Sequence, residues 1–264
     1  MSRLNLTRLR QMKAEQNKIA MLTAYDASFS HVLEQVGVDV ILVGDSLGMV
    51  IQGQESTLPV TINDMIYHCQ NVVRGSDKVF VIADMPFMSY ANEEQAIANA
   101  ARLMAEGGAQ MVKLEGGVIM AATIKQLTVR GIPVCAHLGL LPQSVHRVGG
   151  YRVQGRDEET AKQLMSDAKA LQEAGADMVV LECVPAALAA QITMALTIPV
   201  IGIGAGSDCD GQVLVLYDML GLTPGKRPRF SYDFLADTGT IQSAIAKYVE
   251  DVKSGKFPSL EQQY

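Results

Sequence analysis

The stretches GAQMVKLE (residues 108–115) and GADMVVLE (residues 175–182) are close copies of each other. In both, a glycine ends a stretch of helical periodicity, and an apolar run that ends in a glutamate follows it. Gly37 ends a third helical stretch and leads into VILV (residues 40–43) in the same way. A helix-then-strand unit that recurs along the chain predicts an α/β fold built from one repeating element.

Apolar runs of strand type are distributed along the whole chain. They lie at residues 19–24, 40–43, 79–83, 111–114, 134–136, 178–181, 200–203 and 213–216. Helical stretches separate most of them, and Asp26 and Asn92 are suited to cap two of these helices. The alternation predicts a (β/α)8 TIM barrel with an amphipathic N-terminal helix packed on it, as a single domain over residues 1–264. An open doubly wound sheet is the alternative, although such sheets usually have fewer strands.

The composition argues against several classes of partner. The chain has 264 residues, 48% of them hydrophobic, and a net charge of −6. An acidic protein lacks the basic face that nucleic acid or an anionic membrane requires, and no segment approaches the ~20 uninterrupted apolar residues of a membrane span. The N-terminus lacks the apolar core of a signal peptide and the four cysteines stand far apart, so we expect a cytoplasmic protein with reduced thiols.

Acidic residues end four of the apolar runs. Strands of a parallel barrel are buried, whereas polar residues at their carboxyl ends face the mouth of the barrel, where active sites of this fold lie. One acid at such a position is more typical of a helix cap or a turn. Four acids at one rim favour a shared site that also contains positive charge. The four are Asp45, Asp84, Glu115 and Glu182.

Other polar residues are placed to join these acids. Lys113 and Glu115 are two residues apart on one run, so their side chains project from the same face of a strand. His137 lies on the next run, and Ser46 follows Asp45 directly. Oxygen ligands without a cluster of cysteine or histidine are typical of Mg²⁺ rather than zinc, and Mg²⁺ binds only one or two carboxylates directly. The sequence therefore predicts a magnesium site at the barrel mouth.

A glycine-rich stretch and a basic stretch lie outside the rim, and each allows two interpretations. GIGAG (residues 202–206) is suited either to hold a phosphate with its amides or to close packing of the chain. TPGKRPRF (residues 223–230) contains Lys226, Arg227 and Arg229 on an otherwise acidic protein. It is either a solvated basic loop or a contact for the anionic tail of a ligand.

The sequence resembles the ketopantoate hydroxymethyltransferase family in stretches that follow the family order. They are TAYD, VGDSLGMV, STLPVT, ADMPF, VKLEGG, CAHLGLLPQSV, GGYRVQGR, LECVP and IPVIGIGAG. The resemblance implies a (β/α)8 barrel that binds Mg²⁺ and transfers a one-carbon unit from 5,10-methylenetetrahydrofolate to 3-methyl-2-oxobutanoate (2-oxoisovalerate). The product would be 2-dehydropantoate (ketopantoate), on the route to pantothenate and coenzyme A. A homodecamer is the assembly that the resemblance implies.

The same resemblance implies a role for each rim residue. The metal ligands are Asp45, Asp84 and Glu115. The contacts to the keto acid are Asp45, Ser46, Asp84, Lys113 and His137. Glu182 is the base that removes the C3 proton of the keto acid. We also favour Glu182 as the base because its own run contains no companion cation or hydroxyl.

Three other functions fit parts of this pattern. A metal-dependent lyase or phosphonomutase on a related barrel would also stabilise enolates of 2-oxo acids, without a folate. A Schiff-base aldolase would use Lys113 as its nucleophile. A binding protein would hold an anionic ligand through GIGAG and the basic loop, but four rim acids argue against it.

Overall fold

Parallel strands close into a barrel in which each strand pairs with its neighbours in chain order and the last strand pairs with the first. The structure is a computed structural model that describes residues 3–150, 152–225 and 227–264. The strands are β1 Ile19–Thr23, β2 Val40–Val43, β3 Phe80–Asp84, β4 Met111–Glu115, β5 Val134–Gly139, β6 Met178–Glu182, β7 Val200–Ile203 and β8 Gly211–Leu214. Closure confirms the predicted (β/α)8 architecture and excludes an open sheet, which would leave two unpaired edge strands.

The helices form the outer layer and connect the strands. The described helices are α1 Leu6–Ala14, α2 Ala27–Gln35, α3 Leu47–Val50, α4 Ile62–Arg74, α5 Glu93–Ala105, α6 Ala121–Thr128, α7 Val145–Val148, α8 Glu158–Glu173, α9 Ala186–Ala195, α10 Leu216–Met219, α11 Phe234–Thr238 and α12 Ile241–Lys253. Short 3₁₀ turns lie at Val118–Met120, Pro142–Ser144 and Leu260–Gln262. Asp26 and Asn92 cap α2 and α5 as predicted, because each side chain accepts a hydrogen bond from a backbone N–H three residues later.

The predicted N-terminal helix, α1, packs across the amino ends of the strands. Its Leu9 is completely buried. Arg10 Nη2 lies 2.5 Å from Asp177 Oδ1, and Lys13 Nζ lies 2.6 Å from Asp210 Oδ2. Asp177 and Asp210 directly precede β6 and β8. These ion pairs therefore hold α1 at the end of the barrel opposite the four predicted site acids.

The repeated Gly-x-Asp or Gly-x-Gln pattern before three strands has a structural explanation. The third residue of each copy uses a side-chain oxygen to accept a hydrogen bond from the backbone N–H of the preceding strand. The pairs are Asp39 with Ala20 at 2.9 Å, Gln110 with Val81 at 3.0 Å, and Asp177 with Val134 at 3.1 Å. The repeat thus fixes adjacent strands to each other at the amino end of the barrel.

The last strand differs from its prediction, which placed it at residues 213–216. β8 is Gly211–Leu214, and Leu216 instead opens α10. A Cβ at Gly211 would collide with the carbonyl oxygen of Ile19, so the glycine lets β8 approach β1. Gln212 is buried and donates to the carbonyl of Gly206 at 2.9 Å. The strand begins at residues of low β propensity because these tertiary contacts outweigh it.

The structure also bears on two expectations drawn from composition. All four cysteines are free and buried, as expected of packing residues. In the part of the chain that the structure describes, we find no helix with the length and apolar character to cross a bilayer.

Candidate active site

The four predicted site acids lie at one end of the barrel. Asp84, Glu115 and Glu182 are the last residues of β3, β4 and β6, and Asp45 lies two residues after β2. Because all strands of the closed barrel are parallel, these positions share the carboxyl rim. Asp45, Asp84 and Glu115 are each at most 7% exposed. Burying carboxylates so close together is costly unless positive charge or hydrogen bonds compensate.

Lys113 supplies one positive charge beneath the rim. Its ammonium Nζ lies 2.6 Å from Asp84 Oδ1, and both side chains are almost fully buried. The strand register places these two residues directly opposite each other on β4 and β3. Burial by itself would lower the pKa of Lys113, but Asp84, Glu115 and Asp45 hold that pKa above its usual value. Lys113 therefore remains an ammonium group.

Asp45 contacts Asp84 from the turn that follows β2. Its backbone N–H donates to Asp84 Oδ2 at 3.1 Å. Burial, followed by repulsion from Asp84 and Glu115, raises the pKa of Asp45 to about 8, although Lys113 and Gln143 oppose the rise. Burial and the two neighbouring carboxylates therefore outweigh the effects of Lys113 and Gln143 on this carboxyl.

His137 joins two of the other acids. It pairs with Glu115 in the register of β5 and β4. Its Nδ1 lies 3.4 Å from Glu115 Oε1 and its Nε2 lies 3.2 Å from Glu182 Oε2, although neither contact has the alignment of a good hydrogen bond. Burial and Lys113 lower the pKa of His137, but the two carboxylates outweigh them and raise it to about 9.

This contact corrects one reason for assigning Glu182 as the base. The run of residues 178–182 indeed has no companion cation, but the neighbouring strand supplies His137. The assignment of Glu182 as the base stays a prediction, with His137 as its neighbour.

Gln143 completes the network and was not identified from the sequence. It lies in the Pro142–Ser144 turn and is 7% exposed. Its backbone N–H donates to Glu115 Oε2 at 3.1 Å, and its Nε2 donates to Asp45 Oδ2 at 2.8 Å. Tyr90 donates its hydroxyl to Gln143 Oε1 at 2.5 Å. The stretch CAHLGLLPQSV contains Gln143, and that resemblance is the one sequence signal that could have indicated it.

Ser46 lies beside the acids at the start of α3. Its Oγ is 2.8 Å from the hydroxyl of Tyr25, which belongs to the TAYD stretch. A Cβ at Gly44 would lie 2.9 Å from Ser46 Oγ and 3.4 Å from Asp84 Oδ2. Gly44 therefore leaves room between the serine hydroxyl and the carboxylate. The structure thus brings all seven predicted site residues to one rim.

The donor set of the rim fits Mg²⁺. Four carboxylates against Lys113 and His137 leave two negative charges even when the imidazole is protonated, and one divalent cation would neutralise them. In the described residues no group of three or more acidic, histidine or cysteine side chains is arranged to hold a metal by itself. Mg²⁺ needs only one or two carboxylates, because water and substrate oxygens fill its other positions. Asp45 and Asp84, which meet at the rim, suit this requirement.

The glycines of GIGAG serve close packing. A Cβ at Gly204 would lie 3.0 Å from Phe230 and 3.1 Å from Tyr264, and one at Gly206 would lie 2.6 Å from Ala186. These distances favour the packing interpretation over the phosphate site.

The basic loop of residues 223–230 is only partly described. Lys226 lies outside the described residues. Arg227 Nη1 lies 3.5 Å from Asp233 Oδ2, and Arg229 stacks over the ring of Tyr264 at 5.3 Å. Arg227 and Arg229 therefore contact the protein while both remain exposed to solvent.

Comparison with solved structures defines the class of fold. The phosphoenolpyruvate phosphomutase of Streptomyces platensis subsp. rosaceus superposes with a TM-score of 0.63 over 96% of both chains, at 15% identity. A 2,3-dimethylmalate lyase of the PEP mutase/isocitrate lyase superfamily superposes with a TM-score of 0.59 over 96% of this chain and 98% of its own, at 18% identity. The chain therefore has the TIM-barrel fold of that superfamily.

Comparison with relatives of known sequence defines the family. The family model of ketopantoate hydroxymethyltransferase matches residues 3–260. The 3-methyl-2-oxobutanoate hydroxymethyltransferase of Nitrosococcus oceani is 66% identical over all 264 residues of both chains. That of Azoarcus sp. is 61% identical over 98% of this chain and 96% of its own. The chain belongs to the ketopantoate hydroxymethyltransferase family and is a hydroxymethyl-transferring enzyme, which confirms the resemblance.

Proposed function

We propose that this enzyme transfers a hydroxymethyl group from 5,10-methylenetetrahydrofolate to 3-methyl-2-oxobutanoate and forms 2-dehydropantoate for pantothenate biosynthesis. The observation that carries the proposal is the connected network at the rim. It joins Asp84, Asp45, Gln143, Glu115, His137 and Glu182 through contacts of 3.4 Å or less. Such a network combines surplus negative charge, which suits a cation, with a carboxylate at one end, which suits a base. We further propose the cytoplasm as its compartment and a homodecamer as its assembly.

Asp45, Asp84 and Glu115 would hold Mg²⁺ at this rim. The bound ion would withdraw electron density from the keto oxygen and so stabilise the negative charge that develops there. Asp45 and Asp84 suit direct contact, since they meet at the rim and no basic side chain in the described part of the chain forms an ion pair with Asp45. Glu115 already accepts a hydrogen bond from the backbone N–H of Gln143 and lies beside His137. It would therefore bind a water ligand of the ion.

Lys113 and Ser46 would orient the keto acid. The ammonium of Lys113 is held in place by Asp84 and offers positive charge to the substrate carboxylate. The hydroxyl of Ser46, which Tyr25 fixes, offers a further hydrogen bond. A substrate held by both ends of its 2-oxo acid group presents C3 in a fixed position.

Glu182 would remove the C3 proton. Its Oε2 lies 3.2 Å from Nε2 of His137, which would hold the carboxyl group in position during the step. The enolate carbon forms the new C–C bond to the methylene carbon, both C–N bonds of that carbon break, water supplies the hydroxyl oxygen, and the protons released by water and by C3 end on the two folate nitrogens. The two substrates and water thus balance with 2-dehydropantoate and tetrahydrofolate.

A coupled assay with 3-methyl-2-oxobutanoate and methylenetetrahydrofolate, with and without Mg²⁺, tests the proposal. We expect 2-dehydropantoate only when both substrates and the ion are present. Turnover of a 2-oxo acid without the folate would favour the lyase alternative. Borohydride trapping of substrate on Lys113, with activity that survives EDTA, would favour the aldolase.

A further inference from the structure

A cavity of about 490 Å³ opens beside the predicted base. Its lining includes Arg152, Gln154, Arg156, Cys183 and Tyr264. Cys183 directly follows Glu182 at the end of β6, and its carbonyl accepts a hydrogen bond from the backbone N–H of Gln154 at 2.9 Å. The cavity therefore begins one residue from the group that we propose to move the C3 proton.

The charge of this cavity is positive on an otherwise acidic protein. Arg152 and Arg156 are exposed, and neither forms an ion pair with any residue that the structure describes. The one acid in the lining is Asp157, whose carboxylate caps α8 and accepts from the backbone and the hydroxyl of Thr160 at 2.9 and 2.7 Å. The two guanidinium groups are thus available to a ligand.

A second cavity, of about 450 Å³, continues this basic surface. Its lining includes Arg227, Arg229 and Ser231. Ser231 is 4% exposed, and its hydroxyl has no hydrogen-bond partner among the described residues. Arg229 stacks over the ring of Tyr264, which lines the first cavity. A buried hydroxyl without a partner beside two arginines indicates a place for an acceptor group.

We infer that these two cavities bind the anionic γ-glutamyl chain of the folate substrate. The inference rests on the proposed function, and it assigns the folate tail to a surface separate from the rim that holds the keto acid. Each glutamyl unit carries a carboxylate, and arginine binds carboxylates in paired hydrogen bonds. Arg152 and Arg156 contact the first unit, and the second cavity accepts the units that follow. Arg227 and Glu261 in that cavity contribute less, because Arg227 pairs with Asp233 and Glu261 is acidic.

The test compares methylenetetrahydrofolate with one and with five glutamyl units as substrates. In the wild type we expect a lower KM for the longer chain. In the double variant Arg152→Ala, Arg156→Ala we expect the KM for both folates to rise by roughly tenfold or more, since both folates carry the first glutamyl unit. The KM for the keto acid and folate-free exchange of its C3 proton into D₂O should not change. Arg130→Ala is the matched control, since the side-chain hydrogen bonds of Arg130 in the described structure go to Gln126, four residues earlier.

The outcomes separate the inference from the function on which it rests. A double variant that keeps the wild-type KM for both folates would overturn the inference. A wild-type enzyme that makes no product from both substrates would overturn the proposed function instead. In that case, the affinity of the five-unit folate for the wild type and for the double variant can still be measured by calorimetry. The inference requires the variant to bind this folate more weakly than the wild type.

Discussion

At the amino end of the barrel, Asp39, Asp177 and Asp210 each accept a hydrogen bond from a strand N–H and each have a basic side chain of their own. The four acids at the carboxyl end have only two basic side chains between them in the described residues. The basic partners at the amino end are Lys253, Arg10 and Lys13. At the carboxyl end, four carboxylates share Lys113 and His137. One residue type therefore serves two purposes, according to the end of the strand at which it lies.

The difference has a physical consequence for the two ends. A buried carboxylate with a complete set of partners adds to the stability of the fold, while one short of positive charge favours the binding of a cation or substrate. Burial raises the pKa of Asp177 as well as that of Asp45, but the backbone N–H of Val134 and Arg10 oppose the rise at Asp177, whereas Asp84 and Glu115 add to the rise at Asp45 and bring it to about 8. Substitutions at the carboxyl end should therefore affect activity first, and substitutions at the amino end should affect stability first.

The largest expected effect is that of Glu182→Gln on turnover. Without a base, kcat should fall by roughly 10²- to 10⁴-fold, and exchange of the C3 proton of the keto acid into D₂O should fall with it. The free energy of unfolding should not decrease, because the amide is neutral and the rim carries surplus negative charge. NMR of the exchange reaction and urea unfolding measure the two quantities.

Glu173→Gln, at an exposed position on α8, provides the control for Glu182→Gln. It should leave both exchange and stability unchanged. If exchange in Glu182→Gln proceeds at the wild-type rate, Glu182 is not the base and another group at the rim must accept the proton.

A smaller loss of activity is expected for Gln143→Leu. This substitution removes the amide group that donates to Asp45 and accepts from the hydroxyl of Tyr90. Groups that orient metal ligands typically contribute 10- to 100-fold to metal affinity or activity. The Mg²⁺ concentration for half-maximal activity should therefore rise by about that factor. Titration of activity with Mg²⁺ measures it.

Gln70→Leu is the control for Gln143→Leu, since the amide of Gln70 donates to the carbonyl of Glu106 away from the rim. An unchanged Mg²⁺ requirement in Gln143→Leu would mean that Gln143 only closes the rim and does not orient the ligands.

Much of the fold could be predicted because barrel strands are buried on both faces and so leave continuous apolar runs. The rim acids could be predicted as well, since parallel strands bring all their carboxyl ends to one edge. The prediction of β8 fails at its start, because Gly211 and Gln212 have a place in the strand only through contacts with β1 and Gly206.

The partners of the rim acids could not be predicted. Gln143 lies 98 residues from Asp45 in the chain, and only closure of the barrel brings its amide to that carboxylate. The pairing of His137 with Glu182 likewise depends on the register of two strands. The Gly-x-Asp repeat was visible in the sequence, but its purpose depends on which strand N–H lies beneath each side chain.

At the amino end, Lys13→Met should change stability rather than activity. Lys13 donates to Asp210 at 2.6 Å and to the carbonyl of Thr193 at 2.9 Å, and both charged side chains are 15% exposed. Losing these bonds should lower the free energy of unfolding by roughly 1–3 kcal/mol. Urea unfolding measures this, and kcat should stay at the wild-type value. A drop in kcat at unchanged stability would contradict the division between the two ends.

The smallest effect at the same end is expected for Arg10→Ala. The side chain of Arg10 is 52% exposed, so water screens its attraction to Asp177, and exposed pairs contribute about 1 kcal/mol or less. Asp177 also keeps its hydrogen bond from Val134 after the substitution. Urea unfolding should therefore rank Arg10→Ala below Lys13→Met, although both variants remove one ion pair from α1. An equal loss in the two variants would mean that the number of ion pairs, and not their burial, sets the stability of the amino end.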